Sequence, residues 1–193
     1  MTDIYLYGIS KMKREFQLSC ESTVDLPYSY VNGRNIKVLF YTYLVDGKEL
    51  IDDMGQDENT LKQFYKYLDE GKIPLTSQLN EFQYEEFFRN VLESGKDVFH
   101  ICFGTGMTGS YFNAIKAKDK LQNEYKDRKI IVIDSLCSSS GYGMLVDDAK
   151  DMFDERVDYE EIIKWLEENK NRIHHQFYST DLKYYRRTGR MSG

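Results

Sequence analysis

Three short apolar runs constrain this chain most: EFQLSC at 15–20, DVFHICF at 97–103 and KIIVID at 129–134. Each has strand length, and after each the chain passes through turn residues into new elements. Between the first two lies another β-rich run, IKVLFYTYLV, followed by the turn signal DGK. Short apolar strands alternating with amphipathic helices make βαβ units. The expected fold class is therefore α/β, a parallel sheet flanked by helices.

The helical segments are legible by period. Leu61, Phe64, Tyr65 and Leu68 fall at i, i+3, i+4 and i+7, and Gly71 marks the stop. Asn80 and Gln83 have capping-box spacing ahead of a face of Tyr84, Phe87, Phe88, Val91 and Leu92. A helix follows from about Ser110 to Tyr125, and another lies in GMLVDDAKDMF. Asp158 and Glu161 cap a further one, with Tyr159, Ile162, Ile163 and Leu166 inward. HQFYST, 175–180, reads as a last strand.

Charge and cysteine usage narrow the function classes. Lys and Arg total 26 against 32 Asp and Glu, a net charge of −6, which argues against a nucleic-acid partner. Cys20, Cys102 and Cys137 are far apart and form no C-x-x-C, so neither a disulfide framework nor a zinc site is indicated. They read as small buried thiols of a cytoplasmic protein. No apolar run approaches the ~18 residues of a membrane span. Residues 1–14 lack a signal-peptide core and read as an extension. His100 reads as a satisfied core histidine. The pair His174-His175 has no completing ligand, so no metal is expected there. No G-x-S-x-G elbow supports a nucleophilic enzyme.

One loop raises a direct functional question. FGTGMTGSY contains G-x-G-x-x-G as Gly104, Gly106 and Gly109, between an apolar strand and a helix. Such glycines let a pyrophosphate approach a helix N-terminus, and Asp134 after the next strand matches a ribose-binding acid. That is one reading, a dinucleotide-binding enzyme. Two others stand beside it: a site for another small anion, favoured by the hydroxyls of Thr105, Thr108 and Ser110, and a purely structural turn. Three further loops carry hydroxyls: Ser22-Thr23, Thr76-Ser77, and Ser135 with Ser138, Ser139 and Ser140. In a parallel sheet, loops at the carboxyl ends of strands converge on one crevice.

Five segments in order resemble the DegV family: ESTVDLP, PLTSQLN, FGTGMTGSY, IIVIDSLCSSSGYG and STDLKYYRRTGRMSG. They are similar to that family's D-S-T-x-D-L-P, T-S-Q-P, S-S-x-L-S-G-T-Y, V-I-D-S…G-x-G and D-L-x-Y-L-x-x-G-G-R-I-S. The resemblance runs from about Glu15 to Gly193. It implies a non-catalytic fatty-acid-binding protein without cofactor, holding one long-chain fatty acid in a tunnel between two domains. It also implies an ATP-dependent fatty-acid kinase subunit as partner, to which the acyl carboxylate is presented. The implied domains are 15–172, and 173–193 as the start of a second domain, incomplete at the C-terminus, which would leave the tunnel open. By the same resemblance Thr76 and Thr105 bind the lipid carboxylate. Ser22, Ser77, Gly106, Thr108, Gly109 and Ser110 support the loops, and Arg190 sits near the head group. The chain departs from the pattern at Glu21 for Asp, Leu79 for Pro, Gly104 for Ser and Thr188 for Gly.

Overall fold

The computed structural model describes residues 14–191. The extension expected over 1–14 lies, Arg14 apart, outside the described residues. The three apolar runs form β1 (Phe16–Glu21), β6 (Asp97–Cys102) and β7 (Ile130–Asp134). With β2 (Lys37–Leu39) they make an all-parallel sheet in the order β2-β1-β6-β7. Its register sets Ser19 beside His100 and Cys102 beside Asp134.

Helices cover both faces, so these strands are buried on both sides; β1 turns Leu18 and Cys20 to one face and the buried polar Gln17, Ser19 and Glu21 to the other. Leu18, Cys20, Phe99, Ile101, Ile131 and Ile133 join one core with α5 (Ser139–Asp154) and α6 (Tyr159–Asn169). Val98, Cys102 and Ile130 join the other with α3 (Glu81–Glu93) and α4 (Ser110–Glu124). The α3 signals hold in detail. Asn80 and Gln83 form the reciprocal capping box, and Tyr84, Phe88, Val91 and Leu92 are buried. Asp158 caps α6 through the Glu160 N–H. Between β1 and β2 runs the short α1 (Tyr28–Gly33).

A second, antiparallel sheet has the order β4-β3-β5, from β3 (Thr42–Val45), β4 (Lys48–Ile51) and β5 (Leu75–Thr76). Asp46 and Gly47 both take positive φ, 51° and 75°, as a two-residue hairpin turn requires. Helix α2 (Glu58–Asp69) lies on this sheet, with the Tyr43 and Phe64 rings 5.5 Å apart.

Two expectations need correction. HQFYST is no strand: it joins no ladder among the described residues, and Phe177 and Tyr178 are 83% and 90% exposed. β propensity alone makes no strand; the backbone needs a paired neighbour. The apolar face of α2 also differs from that of the other helices. The helix contains no buried residue. Leu61, Phe64, Tyr65 and Leu68 instead line a cavity shared with α7 (Lys183–Arg187).

Candidate functional site

This cavity measures about 1270 Å³. One wall is the α2 face with Ile73. The other is built by the loops after β1 and β6 and by the T-S-Q segment, with Thr23, Thr76, Ser77, Thr108 and Gly109 among its residues. Arg187 and Arg190 bring cationic groups, Asp52, Asp53 and Asp181 carboxylates. The Tyr184 hydroxyl donates to the Leu68 carbonyl at 3.4 Å, tying α7 to α2. Three of the four hydroxyl loops thus meet at one cavity. The fourth, with Ser135 and Ser138–Ser140, contributes none of its lining.

The individual hydroxyls divide sharply. Those of Thr76 and Ser77 have no hydrogen-bond partner among the described residues. Thr23 Oγ1 is buried and equally without one. Its neighbour Ser22 turns inward, where its oxygen accepts the Tyr41 N–H at 3.1 Å. Ser110 is buried: its Oγ accepts the Leu79 N–H at 3.1 Å and the Tyr41 hydroxyl at 2.8 Å, with Thr108 Oγ1 3.0 Å away. Asn113 donates to the Leu79 carbonyl at 2.8 Å. Residue 79 is therefore held by both its backbone groups, and α4 fixes the T-S-Q segment against the glycine loop. The family's proline would supply no N–H for Ser110, so Leu79 adds a tie that proline lacks. At Gly109 a β-carbon would sit 2.8 Å from Gln78 Oε1, so the missing side chain lets the loops meet.

Thr105 lies elsewhere. Its hydroxyl donates to Asp134 Oδ2 at 2.6 Å and its N–H to Oδ1 at 3.1 Å, and it is absent from the cavity lining. Gly106 is exposed, with open space around it. Of the residues the resemblance selected in these two loops, Thr108 and Gly109 line the cavity and Ser22 and Thr105 do not; Thr23, which it did not select, does. The S-T pair was visible in sequence, but which hydroxyl turns inward depends on Tyr41, nineteen residues later by number.

The same contacts bear on the dinucleotide reading. A ribose-binding acid must have free oxygens, yet Asp134 accepts the Thr105 N–H, the Thr105 hydroxyl and the Leu136 N–H at 3.0 Å. Both donors of Thr105 are taken up by this acid. Gly104 has a structural reason of its own: a β-carbon there would lie 2.7 Å from Cys137 N and Leu136 C, both backbone.

Beneath the cavity sits a buried polar cluster. Glu21 is fully enclosed. Its Oε2 accepts the Phe103 N–H at 3.0 Å and the Tyr41 hydroxyl at 3.3 Å, and its Oε1 accepts the Tyr84 hydroxyl. Burial, and then the Glu21 charge, raise both tyrosines well above the ordinary phenol range, so both remain donors. Tyr41 and Phe103 line the cavity, so Glu21 supports its floor from below. Burial also raises the Asp52 carboxyl in the cavity wall.

A parallel sheet with helices on both faces, carrying an apolar cavity over loops with unpaired hydroxyls, defines an α/β protein with a candidate ligand cavity. The chain belongs to the DegV family: the family model described as "Uncharacterised protein, DegV family" matches residues 15–193. A DegV domain-containing protein of Clostridium perfringens is 34% identical over 179 residues, 93% of this chain and 61% of that protein. A solved structure described as "Fatty Acid Binding of a DegV family Protein from Thermus thermophilus" superposes with a TM-score of 0.77 at 24% identity, over 91% of this chain and 60% of that one. The Streptococcus pneumoniae fatty acid kinase B3 protein loaded with linoleic acid gives 0.66 at 19%, over 81% and 54%. At these identities the structural likeness is one of fold. The chain spans about three-fifths of the length of the curated relative.

Proposed function

We propose that this chain binds a long-chain fatty acid, with the acyl chain along the α2 face and the carboxylate at the hydroxyl loops. The observation that carries this reading is the cavity itself: an apolar helix face with no buried residue, opposite hydroxyls that have no partner. Each methylene removed from water contributes about 0.8 kcal/mol, so the acyl chain supplies most of the affinity. The head needs only a few donors. Thr76, Ser77, Thr108 and the orphaned Thr23 are placed for that, with Arg187 and Arg190 as nearby cations. Thr105 keeps its loop in place through Asp134, and would bind lipid only by giving up that bond.

Nothing in the reading requires catalysis by this chain; its role is that of a carrier. By analogy with the fatty acid kinase B3 relative, the partner is an ATP-dependent kinase subunit. Residues 173–193, whose Tyr184, Arg187 and Arg190 face the cavity, then begin the second unit that closes the site.

Thr76→Val tests the head-group assignment. It keeps the shape and removes the donor. A hydrogen bond to a charged acceptor contributes roughly 1.5–3 kcal/mol, about a ten- to hundredfold loss in stearic acid affinity. Thermal stability should stay unchanged, because the hydroxyl is exposed and has no partner within the fold. Unaltered affinity in a folded Thr76→Val protein would remove Thr76 from the site.

A further inference from the structure

Behind the cavity floor, the Glu21 cluster contains a feature that fatty-acid binding does not explain. His100 is fully buried on β6, its ring against Tyr84, Phe87 and Phe88 of α3. Its Nδ1 lies 2.8 Å from Ser19 Oγ. Ser19 Oγ also lies 3.4 Å from the Phe99 carbonyl; with the Ser19 proton on that carbonyl, Nδ1–H donates to Ser19 and the bare lone pair of Nε2 points into the cluster. Nε2 has no hydrogen-bond partner, and the closest charged group is Glu21 Oε1, at 3.5 Å. In that tautomer two acceptors face each other in a dry core, and a cation between them would satisfy the Nε2 lone pair.

A third ligand atom completes the arrangement. One carboxylate oxygen of Glu21, one ring nitrogen of His100 and the Cys102 sulfur all lie within 4.8 Å of one another, and all three residues are buried. We propose that Glu21, His100 and Cys102 form a structural site for a single zinc-like divalent cation, with the Tyr84 oxygen beside it. Imidazole, thiolate and carboxylate are the donor set zinc prefers. Zinc bonds of roughly 2.0–2.3 Å put tetrahedral ligand atoms about 3.3–3.8 Å apart, so atoms within 4.8 Å of one another need to draw in by at most about 1.5 Å. Ser19 supplies the outer hydrogen bond that metal-ligating histidines commonly have. The Tyr84 hydroxyl already contacts both Glu21 and Cys102.

Charge balance suits a buried centre: a carboxylate and a thiolate neutralise a dication. Binding breaks the Cys102 S–H bond and sends that proton to solvent, with no redox change. The opposing cost is thiol ionisation, since burial holds the Cys102 thiol well above its ordinary value. The site would join β1 to β6 directly under Tyr41 and Phe103, stiffening the cavity floor whether or not the ligand is a fatty acid.

The test uses cobalt(II) as the probe. The full chain, stripped with chelator, takes cobalt either in the folded state or during refolding from urea, because the cluster is enclosed. The expected result is one equivalent bound per chain with a thiolate-to-cobalt charge-transfer band, displaced by zinc. The band should persist in the variant carrying Cys20→Ala and Cys137→Ala, where only Cys102 can produce it. Native mass spectrometry of the wild-type chain refolded with zinc provides a readout independent of any variant. No stoichiometric metal by either route, or a band lost in that double variant while it remains folded, overturns the proposal.

Discussion

Glu21→Ala should destabilise the fold by about 3–5 kcal/mol, read as a lower urea midpoint with an unchanged slope. The carboxylate accepts the Phe103 N–H and the hydroxyls of Tyr41 and Tyr84 in a site without solvent. Removing it leaves the Phe103 N–H and the Tyr84 hydroxyl without that acceptor, each worth roughly 1–3 kcal/mol, and adds a cavity. Tyr41 adds little, because its hydroxyl keeps the shorter bond to Ser110. Glu21→Gln should fall between the two: it keeps the volume but turns an NH₂ towards one set of donors. Glu21→Asp, which restores the family's residue, draws the carboxylate back by one methylene and should recover only part of the loss. A loss below about 1 kcal/mol in Glu21→Ala would show that these donors find other partners, and the buried carboxylate would no longer account for the floor of the cavity.

Gly104→Ala has the second largest expected effect, about 2–3 kcal/mol. The new methyl would lie 2.7 Å from backbone atoms of Leu136 and Cys137, and backbone cannot rotate aside as a side chain can. The two loops would separate, straining the Gly104 N–H bond to the Cys137 carbonyl, now 2.9 Å. Gly106→Ala is the matched comparison. No atom lies within 4 Å of its β-carbon position, and its change should stay within about 0.5 kcal/mol. Chemical denaturation of both variants checks the pair. Equal stabilities would mean that the glycine motif is not held by loop-to-loop contact and would return weight to a ligand-based reason for its glycines.

The sheet was legible because β6 and β7 contribute to both cores, which gives them nearly continuous apolar runs, while β1 alternates Phe16, Leu18 and Cys20 with buried polar residues. The α3 start was legible because a capping box is entirely local. The α2 face shows where pattern stops informing. Leu61, Phe64, Tyr65 and Leu68 have ordinary core spacing, yet they line a cavity, and period cannot distinguish a core from a ligand. HQFYST failed for a related reason: its β-formers found no partner strand. At the site, Thr76, Ser77, Thr108, Gly109 and Arg190 do gather at one cavity. Thr105 does not, because Asp134, twenty-nine positions on, takes its hydroxyl proton. The orphaned ring nitrogen of His100 was illegible from residue 100 alone; it follows from Ser19 and Glu21 on a strand paired across the sheet.

The most direct measurement is a calorimetric titration of the delipidated chain with stearic acid and, separately, with methyl stearate. An apolar cavity with a polar head site should bind stearic acid saturably at one molecule per chain, and the uncharged ester at least about tenfold more weakly. Absence of saturable binding by stearic acid, or equal affinity for acid and ester, would contradict a site that holds a fatty-acid carboxylate at the hydroxyl loops.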